Sequence, residues 1–202
     1  MIILGLTGSI AMGKTTVAKQ FETCGVPISN SDAIVYALLS ENGEAVEAVS
    51  RLFPAARKSN HIDRKLLGAE VFGDTTKMKQ LEAILHPLVR KAEDKFIRQA
   101  RVRGDKIVVL DIPLLFETHR EKRCDYTVVV TAPYFLQKHR ALTRRHMTEA
   151  RFNSILALQM KNSEKIKRAD FVVFTGLGRY NSLKMVKEIL AKVTGTFEER
   201  NE

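Results

Sequence analysis

Unbroken apolar runs and segments of helical period alternate along most of the chain. Ile2–Thr7, Ile107–Leu110 and Tyr126–Val130 are rich in β-branched residues and bounded by polar or turn residues, and Phe171–Phe174 is a shorter run of the same kind. Runs of this type predict strands covered on both faces. Helical spacing predicts Thr15–Cys24 directly after the first strand. It further predicts Leu81–Arg101 as a long amphipathic segment interrupted by Pro87, then Tyr134–Arg145, Arg151–Lys161 and a closing helix over Asn181–Val193. Strand followed by helix, repeated, predicts an α/β fold with a parallel sheet flanked by helices. The stretch from about Asp32 to Arg103 is mostly helical in pattern and interrupts that alternation, so it is expected to be an inserted substrate-side helical region. The polar tail from Thr194 is expected to fray.

The chain has 202 residues, a length that suits one α/β domain with inserted segments. Its hydrophobic fraction of 45% is enough for a sizeable core and excludes a disordered chain. No run of eighteen apolar residues is present, so no membrane-spanning helix is expected. The apolar start at Met1–Leu6 is short and lacks a basic leader, which reads as a buried strand and not a signal peptide. Cys24 and Cys124 stand far apart with no metal-ligand spacing around either, which fits reduced thiols in a cytoplasmic protein.

Net charge is +10, with 33 Lys plus Arg against 23 Asp plus Glu. Such a chain attracts anions. The densest basic run is Lys138 to His146, followed by Lys161, Lys165, Lys167 and Arg168. Aromatic residues make up only 7%, and no alternation of aromatic and basic residues offers a stacking platform for bases. Phosphorylated small molecules therefore account for the charge at least as well as nucleic acid.

Gly8-Ser9-Ile10-Ala11-Met12-Gly13-Lys14-Thr15 fits the pattern G-x-x-x-x-G-K-[ST]. A strand precedes it and a helix follows it, the context its mechanism requires. Glycines at Gly8 and Gly13 let the backbone curl, so that N–H groups from Ala11, Met12 and Gly13 onward face a phosphate chain at a helix N-terminus. Lys14 is expected to reach the β- and γ-phosphates, the Thr15 hydroxyl to ligate Mg²⁺, and Thr16 to touch an inner phosphate. This pattern points to binding of a nucleoside triphosphate.

Three further sets of residues carry candidate chemistry. Asp32 follows Val26-Pro27-Ile28, and it supports two readings equally: a carboxylate at the end of a second strand that orients an acceptor hydroxyl, or a helix cap. Asp111 ends the strand at Ile107–Leu110, where it holds Mg²⁺ through water or contacts the acceptor, or else is a turn residue. Pro113 stiffens the segment after it. Arg140 and Arg144 are four apart, which puts them on one helical face with Arg145 just beyond. Downstream of a phosphate loop they read as an arginine-bearing lid and not as a solvated basic face.

Taken in order, these motifs resemble the bacterial type of dephospho-coenzyme A kinase family. The resemblance runs from about Ile3 to Leu190. It rests on Leu6–Thr16, Ser31-Asp32-Ala33, Ile62-Asp63-Arg64 with Leu67, Val71-Phe72, Leu85-His86-Pro87, Pro113–Glu117, Arg140 with Arg144, and Gln159. It implies transfer of the γ-phosphoryl group of ATP, with Mg²⁺, to the ribose 3′-hydroxyl of dephospho-coenzyme A. The implied architecture is a phosphate-loop core over 1–30 and 104–193, a helical coenzyme A region over about 32–103 and a lid over about 140–162. Within it Asp32 orients the 3′-hydroxyl, and Arg140 and Arg144 clamp phosphates. His86, Asp111, Pro113 and Leu114 serve the substrate side, and the backbone at Gly176 serves adenine. The partners implied are ATP and dephospho-coenzyme A, with no nucleic acid and no membrane, for a cytoplasmic monomer or weak oligomer.

Two positions depart from the family pattern. Asn30 stands where an Asp is usual, and Phe174-Thr175-Gly176 stands where an Asn-rich turn is common. A nucleoside monophosphate kinase on the same core is disfavoured by His86-Pro87 and Pro113–Glu117. A GTP-dependent switch is disfavoured because no Asn-Lys-x-Asp tetrapeptide occurs.

Overall fold

Five strands form the main sheet of the computed structural model, which describes residues 1–199. They are β1 (Ile2–Thr7), β2 (Ile28–Asn30), β5 (Ile107–Asp111), β6 (Tyr126–Thr131) and β7 (Phe171–Phe174), in the order β2-β5-β1-β6-β7. β1 pairs in parallel with β5 and with β6, and β6 pairs in parallel with β7. Parallel pairing needs a crossover between strands. The first is α1 (Lys14–Thr23), and the chain closes with α9 (Arg179–Glu199). Leu4 and Leu6 of β1, Val128 and Val130 of β6 and Val173 of β7 bury one face of the sheet. Val17 and Phe21 of α1 and Val186, Ile189 and Val193 of α9 belong to the same core. Phe21 is fully buried, so truncating it to Ala would cost about 3–5 kcal/mol.

The chain divides into two compact units. Met1–Ser29 joins the chain from Ala100 onward in the first, and Asn30–Gln99 forms the second. The second unit holds α2 (Ser31–Leu39), α3 (Val46–Leu52), α4 (Arg64–Val71) and most of α5 (Thr75–Arg103), with a small antiparallel pair, β3 (Arg57–Lys58) and β4 (His61–Ile62). Its core comprises Leu38, Leu39, Val46, Val49, Phe53, Leu67, Val71, Leu81, Leu85 and Val89. Pro87 lies inside α5 and does not interrupt it. Leu81, Leu85 and Val89 recur at helical spacing and are buried on both sides of the proline, so core packing outweighs the lost backbone hydrogen bond.

Local hydrogen bonding sets the helix starts. The Asn30 side chain accepts from the Ala33 N–H at 2.8 Å and caps α2, so the cap is Asn30 and not Asp32. Asp63 caps α4 by accepting from the Lys65 and Leu66 N–H groups. The Lys58 ammonium 3.0 Å from Asp63, with those two amides, holds the Asp63 carboxyl down at about 2.

Three helical expectations change in the first unit. The basic helix is α6 (Tyr134–Leu142), which ends before Arg144, so Arg140 and Arg144 do not share a helical face. The helix expected over Arg151–Lys161 is α7 (Glu149–Ala157), which ends four residues early, and a separate helix, α8 (Asn162–Arg168), follows beyond the expected segment. Thr148 caps α7, its hydroxyl accepting from the Arg151 N–H. α9 continues past Val193 to Glu199, and the Thr194 hydroxyl donates back to the Leu190 carbonyl, so the chain does not fray at Thr194. The remainder of that tail lies outside the described residues.

Candidate active site

The loop between β1 and α1 carries the strongest chemistry of the first unit. Gly8 runs so close to β6 that a Cβ there would lie 2.8 Å from the Val130 carbonyl oxygen. Ala11 and Gly13 both take positive φ, 61° and 95°. For Ala11 that conformation costs roughly 1–2 kcal/mol, so the surroundings must enforce it. Gly13 is the cap residue of α1 and supplies no side chain to its first turn. The amides at the start of α1 are thus left for a ligand, at the positive end of the helix dipole.

Asp111, at the end of β5, stands beside Leu6 of β1 in the sheet register. Its carboxylate, 1% exposed, engages the Lys14 ammonium. Asp111 is therefore a nearly buried partner of the loop lysine. The Thr7 hydroxyl donates to the Pro113 carbonyl at 3.0 Å, tying the segment after β5 to the end of β1. Leu114 next to it is exposed. Thr15 and Thr16, in the first turn of α1, open onto a groove of about 280 Å³ that Lys19, Gln20 and Arg179 also line.

Arg140 is anchored. Its Nη1 donates to Thr175 Oγ1 and its Nη2 to the Thr175 carbonyl, both at 2.9 Å. Thr175, 7% exposed, donates in turn to the Met12 carbonyl at 2.6 Å. Arg144 and Gly176 are exposed, as is Arg145 in the turn after α6. Ala11, Ala141 and Phe152 form a small apolar cluster, joined by Ile10, Met147 and Leu156, that packs the segment of α6 and α7 on the phosphate loop. The Gln137 amide donates to the Ile10 carbonyl at 2.9 Å, and the Gln159 side-chain oxygen accepts from the Ile10 N–H at 3.0 Å. Gln137 and Thr175 carry no motif signal of their own, so sequence reasoning passed over Gln137 and saw Thr175 only as a departure. Lys165, counted at first among the anion-attracting charges, is 0% exposed. Its Nζ lies 2.8 Å from Glu117 Oε1, which also accepts from the Met160 N–H.

Asp32 and His86 belong to the second unit. Asp32 lies exposed in the first turn of α2, with no hydrogen bond or ion pair among the described residues, and His86 is half-buried on α5. Among the described residues no group of three or more acidic, His or Cys side chains is arranged to hold a metal by itself. No described helix is long and apolar enough to cross a membrane.

A phosphate loop between a parallel strand and a helix, with a lysine held by an acidic residue of the adjacent strand, defines an ATP-dependent phosphotransferase of the P-loop kinase class. The dephospho-CoA kinase family model matches residues 2–176. The chain is 50% identical to a dephospho-CoA kinase of Paramagnetospirillum magneticum over 97% of this chain and 92% of that one. It is 47% identical to a dephospho-CoA kinase of Mesorhizobium japonicum over 96% and 98%. A solved structure, TT1252 from Thermus thermophilus, superposes with a TM-score of 0.83 at 34% identity, covering 95% of this chain and 97% of that one. The chain belongs to the dephospho-CoA kinase family, whose activity hands a phosphoryl group from ATP to an alcohol of dephospho-coenzyme A in the last step of coenzyme A synthesis.

Proposed function

We propose that the residues of this chain divide the transfer of the γ-phosphoryl group of ATP to the ribose 3′-hydroxyl of dephospho-coenzyme A as follows. The amides of Ala11, Gly13, Lys14 and Thr15 grip the phosphate chain, the Thr16 hydroxyl touches an inner phosphate, and the Lys14 ammonium neutralises charge on the migrating group. The pairing of Lys14 with Asp111 carries this reading, because it holds the ammonium at the mouth of the loop before nucleotide arrives. The exposed Thr15 hydroxyl at the first turn of α1, with Asp111 nearby at the end of β5, would hold Mg²⁺ brought by the nucleotide. Mg²⁺ bound there neutralises phosphate charge.

Asp32 orients the 3′-hydroxyl and takes its proton late. Its exposed carboxylate, free of capping duty, is available for that work. The acceptor hydroxyl is a weak acid, so positioning contributes more than early deprotonation. His86, Pro113 and Leu114 serve the acceptor. Arg140, fixed on Thr175, holds inner phosphates, and the exposed Arg144 closes on the transferring group with the lid of residues 140–162. Backbone at Gly176 receives adenine. The protein works in the cytoplasm, as its free thiols Cys24 and Cys124 fit, as a monomer or weak oligomer without nucleic acid or membrane.

A coupled ADP-release assay tests the reading. Turnover with dephospho-coenzyme A and none with nucleoside monophosphates is expected; the reverse pattern overturns it.

A further inference from the structure

Two carbonyl groups of the phosphate loop are tied down from outside it. The Ile10 carbonyl accepts from the Gln137 amide and the Met12 carbonyl from the Thr175 hydroxyl. In a trans peptide the N–H points opposite to the C=O of the same unit. Pinning the Ile10 carbonyl therefore aims the Ala11 N–H to the other side, and pinning the Met12 carbonyl aims the Gly13 N–H there too. No protein acceptor among the described residues takes either N–H, whereas the Ile10 N–H is taken by Gln159. The two aimed donors flank Met12, whose own N–H is spent on a turn to the Ser9 carbonyl.

Both outside groups are themselves fixed. Gln137 is 3% exposed. The Thr175 hydroxyl accepts from Arg140, and its single proton goes to the nearer of two carbonyls, Met12 at 2.6 Å against Thr131 at 3.4 Å. Shielded from water, such bonds resist exchange with solvent.

We propose that Gln137 and Thr175 are positioning residues that preset the Ala11 and Gly13 amides in their phosphate-gripping direction, so that the loop need not reorganise when ATP binds. The inference rests on the ATP-dependent reading above, and it adds to that reading a cause for the loop's shape outside the motif itself.

The probe is inorganic tripolyphosphate, which has neither base nor ribose, measured by calorimetry on the full chain. Thr175→Val keeps the shape and loses the hydroxyl. Gln137→Met keeps the volume and loses the amide. Each is expected to weaken tripolyphosphate binding about tenfold, the loss of one buried hydrogen bond. Each should also raise the KM for ATP while leaving the KM for dephospho-coenzyme A within about twofold, and Thr175→Ser should restore parental binding. Tripolyphosphate affinities within about twofold of the parent in both Thr175→Val and Gln137→Met overturn the proposal, as does failure of Thr175→Ser to rescue. If Thr175→Val does not fold, Gln137→Met decides alone. A parent that binds tripolyphosphate but leaves dephospho-coenzyme A untouched defeats the functional reading and not this one.

Discussion

The Lys14 ammonium rests on the Asp111 carboxylate, a partner 97 positions away in sequence. The pair is nearly closed to solvent, so the charge of the loop lysine is already desolvated and aimed before substrate binds. Lys14→Ala removes the cation that neutralises the migrating group and leaves the buried Asp111 without that ammonium. A fall in kcat of at least about a hundredfold is expected. A loss of stability of about 3 kcal/mol should accompany it, the lower end for buried pairs because Lys14 keeps some solvent. Steady-state kinetics and urea unfolding check the two effects separately.

Asp32 and Asn30 should separate cleanly. Asn30→Ala removes the cap of α2 and should cost about 1 kcal/mol. Asp32→Asn should leave the melting temperature nearly unchanged and lower kcat much more than it weakens ATP binding. A pure loss of ATP affinity would assign Asp32 to the nucleotide instead. Thermal unfolding and nucleotide titration on both variants make the comparison.

The two lid arginines should differ in kind. Arg144 is exposed, so Arg144→Ala should slow the chemical step by roughly a hundredfold with no change in unfolding midpoint. Arg140 is bonded to Thr175, so Arg140→Ala should lower both rate and stability. Single-turnover rates beside melting curves distinguish them. An unchanged rate in Arg144→Ala would make that side chain a solvated surface charge.

Asp63 gives a pH signature to the second unit. Its carboxyl is held down at about 2 by the Lys58 ion pair and two backbone amides, against an ordinary value of 3.8. A depressed folded value stabilises the native state above about pH 4, and that contribution drains away as pH falls toward 2. Asp63→Asn should therefore be less stable than the parent at neutral pH, and the gap should narrow between pH 4 and 2. Denaturant midpoints across that range measure it.

The sequence by itself determined the parallel α/β class, the phosphate loop and the mostly helical stretch between the first strand and Ile107. These features are written in local order: apolar runs that only buried strands tolerate, glycines where the backbone must curl, and helical spacing from Leu81 onward. Helix ends were read less well. Packing carried α5 through Pro87, and the Thr148 cap started α7 two residues ahead of the start that spacing gave. Only the tertiary structure decided the partners. Asp111 meets Lys14 because β5 lies beside β1, Thr175 meets Met12 because the chain beyond β7 returns to the loop, and Lys165 is buried against Glu117. The first two contacts join residues 97 and 163 positions apart. Strand order and side-chain burial create them, and neither is encoded within any single window of sequence.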